Sequence, residues 1–135
     1  MIRLILVAIV LFGFLILGIP LLLIEWVIGK FNQKQKDYSS LRLVQGAFKL
    51  IMFMTGVKLT VIGEENVPKD KAVLYVGNHR SYFDVVMTYA RCPRLTGYVA
   101  KIEMLRYPLL RDWMKNLYCL FLDRDDIKAG LKTIL

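Results

Sequence analysis

The single histidine of this 135-residue chain, His79, lies in the run VLYVGNHRSYFDVVM, with Asp84 five positions beyond it. An imidazole beside a carboxylate is a proton-transfer device. The carboxylate fixes the ring tautomer and stabilises the imidazolium, while the second ring nitrogen takes a proton from a hydroxyl. Such a pair needs no Ser or Cys nucleophile, so the hydroxyl it activates belongs to an external alcohol. Five residues along one continuous helix turn the direction by about 140°, so the two side chains can meet only across a turn. Gly77, Asn78 and Arg80 suit a turn from a strand into a helix, with Ser81 as N-cap of a helix that begins at Tyr82. A second reading fits the same residues: Ser81 to Asp84 matches a capping box, in which Asp84 only closes the helix end.

The elements that would position this pair follow Gly56. Short β-type runs occur at VKLTVI (57–62), AVLYVG (72–77), TGYVA (96–100) and YCLFLD (118–123), with EENVPKDK (64–71) as the most turn-like segment. Stretches of helical length lie between the last three runs, at 82–90 and 103–116. Strands alternating with helices predict an α/β domain with a largely parallel sheet.

Before Gly56 the chain is of a different kind. Leu4 to Ile24 is 21 residues without a charge, about 32 Å as a helix, which matches a hydrocarbon core of roughly 30 Å. The run is longer than a cleavable signal requires and ends in Glu25, Trp26 and Lys30. Pro20, Gly13 and Gly18 leave open a kinked helix that enters one leaflet without crossing. Arg3 stands alone on one flank, whereas Lys30, Lys34, Lys36 and Arg42 follow on the other, which by the positive-inside tendency makes the rest of the chain cytoplasmic. Residues 41–56 place Val44, Ala47, Phe48, Ile51 and Met52 on one helical stripe, with Arg42, Gln45 and Lys49 opposite. That pattern suits a basic helix on a membrane surface, or one packed against the domain behind it. The expected organisation is a membrane-anchoring helix over 1–29, a basic linker and interfacial helix over 30–56, and a catalytic-type domain over 57–135.

Composition removes several functional classes. With 56% hydrophobic residues and a net charge of +8 the chain is too apolar for disorder and too charged for an all-membrane bundle. The basic residues are spread evenly and half the excess flanks the apolar run, a poor footprint for nucleic acid. Cys92 and Cys119 are far apart and meet only one histidine, which argues against a disulfide scaffold and a Cys/His zinc site. Asp123, Asp125 and Asp126 invite a magnesium ion but sit where a helix start favours carboxylates, so no metal is assigned.

NHRSYFD resembles the first block of the glycerolipid acyltransferases, Asn-His, four residues, Asp. KIEMLRYPLLRDWMKNLYCLFLDRDD is similar to that family's next segment, a strand ending in Phe-Leu-Asp-Arg included. The likeness covers 57–135 and is strongest to the members that acylate lysophosphatidate. It implies a partial glycerolipid-acyltransferase-like sheet with flanking helices. It further implies transfer of a fatty acyl group from an acyl-CoA or acyl carrier protein thioester to lysophosphatidate, giving phosphatidate, with no cofactor beyond that co-substrate. By the same likeness His79 is the general base, Asp84 its orienting partner, Asn78 a turn-shaping neighbour, and Lys101 and Arg124 hold the acceptor phosphate. On residue type alone Arg124 reads as part of a solvated ion-pair cluster and Lys101 as an ordinary strand-end lysine. The family's Glu-Gly-Thr-Arg block does not occur before Leu135, and Ile127, Leu131, Ile134 and Leu135 form an uncapped helix face, the pattern of a fragment. The competing expectation is therefore an inactive fragment or a non-enzymatic membrane-anchored interaction module.

Overall fold

A computed structural model describes residues 2–123, 125, 126 and 130. Its first element, α1 (Ile2–Phe31), is the one helix among the described residues long and apolar enough to cross a membrane by length and composition. A one-residue break at Asn32 leads into α2 (Gln33–Thr55). The Asn32 side chain accepts a hydrogen bond from Gln35 N at 3.1 Å, and Gly56 ends the helix in the left-handed region at φ 69°.

The two helices form an antiparallel hairpin. Arg3 Nη1 donates to the Thr55 carbonyl at 3.3 Å near one end, and Ser39 Oγ donates to Glu25 Oε2 at 2.9 Å near the other. One face of α1 is thereby covered. On its opposite side Ile2, Ile5, Ile9, Phe12, Ile16, Ile19, Leu23 and Trp26 are all exposed. They recur at alternating three- and four-residue steps, a single apolar stripe running the length of the helix.

Five further elements complete the site's support. α3 (Tyr82–Tyr89) is followed by β1 (Val99–Lys101), a 3-10 turn over Ile102–Arg106, α4 (Leu110–Asn116) and β2 (Leu120–Leu122). β1 and β2 pair in parallel, Val99 opposite Leu120 and Lys101 opposite Leu122. The chain is thus mostly helical with a small parallel sheet, consistent with a partial acyltransferase fold.

Two of the four expected strands, 57–62 and 72–77, have no regular secondary structure and join no ladder among the described residues. Strand formation depends on a partner edge rather than on β-propensity; without one, Ile62, Leu74 and Val76 stay about nine-tenths exposed. The helix expected over 103–116 is also divided. Pro108 holds Tyr107 in the extended region, φ −96° and ψ 99°, so a 3-10 turn ends there and α4 starts afresh at Leu110.

The core joins Leu41 and Val44 of α2, Tyr89 of α3, and Trp113 and Leu117 at α4. α1 enters it through Phe14, whose ring centroid lies 5.2 Å from that of Trp113, and through Gly18, where an added Cβ would meet the indole nitrogen at 2.8 Å. Gln45, expected on a solvent face, is instead 3% exposed. Its Nε2 donates to the carbonyls of Tyr89 at 3.2 Å and Cys92 at 2.8 Å, closing the end of α3. Gln45→Ala removes the donor of the Cys92 carbonyl and one of the two donors of the Tyr89 carbonyl, and is expected to cost about 1–3 kcal/mol, measured as a lowered urea midpoint in detergent.

Candidate active site

The segment before α3 is non-helical, and it delivers His79 beside the first turn of that helix. His79 Nδ1 lies 3.3 Å from Asp84 Oδ2, so the two meet across the turn as their spacing requires. The same oxygen accepts the backbone N–H of Arg80 at 2.7 Å and of Ser81 at 2.8 Å. Ser81 is the N-cap, its Oγ accepting from Phe83 N at 3.2 Å, and the reciprocal capping box is present. The two readings of Asp84 are therefore one structure: the contacts that close the helix also fix the oxygen the imidazole faces.

Two backbone N–H groups first, and then His79, hold the Asp84 carboxyl below the usual carboxylate range. A depressed carboxylate stabilises the fold above its unfolded-state value near 3.9 and loses that contribution as pH falls through its folded value. The start of α3 is expected to keep constant amide-exchange protection from neutral pH down to about pH 4 and to fray below it. Loss of protection at Phe83 and Val85 already near pH 6 would contradict this assignment.

At its far end α3 is tied to β1. Thr88 Oγ1 and Tyr98 OH are 2.6 Å apart, and the rings of Tyr89 and Tyr98 lie 5.5 Å apart. Burial pushes the Tyr98 phenol up to about 12, so it remains a neutral hydroxyl in that bond at physiological pH. His79 is more than half exposed and Asp84 about a third. Nε2 of His79 has no protein partner among the described residues and is open to an incoming hydroxyl.

The other sequence-derived candidates are less closely assembled. Asn78 is exposed immediately before His79, without a hydrogen bond among the described residues. Lys101 is exposed at the C-terminal end of β1, and no ion pair or hydrogen bond joins it to His79 or Asp84 among the described residues. Arg124 lies outside the described residues. Arg80, which the sequence marks only as a turn residue, supplies the backbone N–H that makes the shortest bond to Asp84. The capping-box spacing points to the Ser81 N–H alone, and nothing in the residue type of Arg80 marks the second bond.

Residues 58–134 match the family model described as Acyltransferase. The chain belongs to the Acyltransferase family. Two relatives make the same point. A probable 1-acyl-sn-glycerol-3-phosphate acyltransferase of Mycoplasma pneumoniae is 37% identical over 84 residues, which are 58% of this chain and 31% of that protein. A 1-acyl-sn-glycerol-3-phosphate acyltransferase of Borreliella burgdorferi is 29% identical over 91 residues, 65% of this chain and 35% of its own. The chain thus spans about a third of the length of these curated relatives. No solved structure matches it.

Proposed function

We propose that the chain carries the proton-transfer site of an enzyme that moves a fatty acyl group from an acyl-CoA or acyl carrier protein thioester to lysophosphatidate, forming phosphatidate. The observation that carries this reading is the 3.3 Å approach of His79 Nδ1 to Asp84 Oδ2 inside the matched family region. In the reaction the acceptor hydroxyl oxygen bonds to the thioester carbonyl carbon while its proton passes to His79 Nε2. The resulting oxyanion collapses, the carbon–sulfur bond breaks, and the imidazolium returns the proton to the departing thiolate. Asp84 holds the ring with Nδ1–H toward itself and offsets the transient charge. Lys101 and Arg124 serve the acceptor phosphate, Lys as a point charge and Arg as a bidentate fork. Asn78 shapes the turn that presents His79.

The reading is tested by incubating the chain in phospholipid nanodiscs with radiolabelled lysophosphatidate and either thioester. Labelled phosphatidate above the level of empty nanodiscs supports it; none with either donor favours the non-enzymatic interaction module.

The acceptor and the product both carry acyl chains and require a site near the bilayer, and the packing of α1 favours insertion into one leaflet, with the domain on the cytoplasmic side. Its exposed apolar stripe can face hydrocarbon. Its other face carries α2, with Lys34, Lys36, Arg42 and Lys49, and touches α4, with Arg111 and Lys115. A crossing would draw these charges toward the bilayer centre at about 2.5–3.5 kcal/mol each. Cysteines placed at Ile2 and at Phe31 are expected to react from the same side of sealed vesicles with a membrane-impermeant thiol reagent. Labelling from opposite sides would establish a crossing helix instead.

A further inference from the structure

On α2, Lys34, Tyr38, Arg42, Gln45, Lys49 and Met52 recur at three- and four-residue steps and form one stripe about 27 Å long. This stripe floors a groove whose other wall is the segment after α3. Two cavities of about 480 and 420 Å³ lie end to end along it, sharing Arg42 and Pro93.

The groove is cationic, and among the described residues four of its five cations, Lys34, Arg42, Lys49 and Arg94, have no carboxylate partner. Arg42 donates to Gln45 Oε1 at 3.1 Å and lies over the Tyr38 ring at 5.0 Å. Arg94 donates only to carbonyls, those of Lys71 at 2.6 Å and Pro68 at 3.4 Å. The two acids that line the groove have partners other than these four cations. Glu64 pairs with Arg91, and Asp37 accepts from Gln33 at 2.7 Å and Tyr118 at 3.1 Å.

Spacing and direction decide what fits. Lys34, Arg42 and Lys49 are about 10–12 Å apart along the axis, too far to converge on one phosphate and suited to an extended row of anions. No residue of α1 lines either cavity. On a helical wheel Ser39 and Lys36, which meet α1, point away from the centre of the stripe by about 100° and 160° respectively. A bilayer engaged by α1 therefore lies on the other side of α2, and the groove faces water. Between the cations the walls are apolar, through Leu41, Pro93 and Leu95.

We propose that this groove docks an acidic amphipathic helix of a water-soluble protein partner, carboxylates against Lys34, Arg42, Lys49 and Arg94 and an apolar edge against Pro93. Taking that partner to be the protein that delivers the acyl thioester rests on the function proposed above; the groove itself does not.

The test uses the full chain in nanodiscs of neutral phosphatidylcholine, titrated against fluorescently labelled acyl carrier protein. Lys34→Glu combined with Lys49→Glu reverses two side chains that hold nothing else in the fold. This variant is expected to bind the carrier at least tenfold more weakly, with unchanged helicity by circular dichroism, whereas Arg106→Glu, outside the groove, binds as the parent does. Affinity of the parent falls as salt rises. The proposal is overturned if the parent shows no binding, or if the charge-reversed variant binds equally well. It is also overturned if the variant loses coenzyme A or phosphatidylglycerol vesicles while keeping the carrier. Binding and turnover of the parent separate the two readings: carrier binding without turnover sinks the catalytic assignment alone, and turnover with acyl-CoA but no carrier binding sinks the groove alone.

Discussion

His79→Ala is expected to lower the rate of acyl transfer to lysophosphatidate by about 10²–10⁴-fold while leaving the fold intact. The side chain is more than half exposed and its one polar contact among the described residues is to Asp84, so removing it opens no core cavity. Asp84 is different, because its Oδ2 serves two backbone N–H groups as well as the imidazole. Asp84→Asn keeps an oxygen for those N–H groups but has no charge to offset an imidazolium. Asp84→Ala loses both. Comparing turnover with amide-exchange protection of α3 separates the roles: Asn should lose turnover while protecting the helix, and Ala should lose both. If Asp84→Asn turned over as fast as the parent, Asp84 would be a helix cap and nothing more.

The second large effect concerns the crossing between the two strand connections. Gly97 lies against the backbone of Tyr118: a Cβ built there would overlap the Tyr118 carbonyl oxygen and sit 2.8 Å from its carbon. Backbone cannot swing away as a flexible side chain can. Tyr118 is itself at φ 57°, and its hydroxyl is tied to Asp37 at 3.1 Å and Gln33 at 3.0 Å. The next bond along, Leu120 N to the Tyr98 carbonyl at 2.9 Å, begins the β1–β2 pairing. Gly97→Ala must separate these strands and is expected to cost about 4 kcal/mol or more, enough to unfold a small domain. Gly46→Ala is the matched control, since nothing lies within 4 Å of a Cβ there and alanine favours the helix. Chemical denaturation of both in detergent gives the comparison; equal midpoints would refute the close approach.

What the sequence disclosed was what depends on neighbours along the chain. Ser81 and Asp84 cap α3 because a capping box is complete within four residues, and the turn before it brings His79 into reach. The parallel pairing of 99–101 with 120–122 also followed from strand, helix, strand order. Contacts made by distant segments left no local mark. Nothing around Gln45 announces that it will be buried under the end of α3, and its helical phase had placed it with the charged residues. Gly97 looks like any turn glycine until Tyr118, twenty-one positions later, comes to lie on it. The runs 57–62 and 72–77 show the converse: local pattern suited a strand, but a strand is a relation between two segments. Lys101 and Asn78 stand out only through likeness to a family, because neither residue type nor spacing distinguishes them from a strand-end lysine and a turn asparagine.

The contact of α1 with Trp113 also bears on how the chain is made. Phe14 and Gly18 leave the ribosome roughly a hundred residues before the indole they pack against. At about 5–20 residues per second that is an interval of several seconds. Throughout it the most apolar segment of the protein is synthesised but its folded partner does not yet exist. The α1–α2 hairpin can close long before Trp113 is made, so the face of α1 that meets the indole is the last to be covered and the order of synthesis sets the order of assembly.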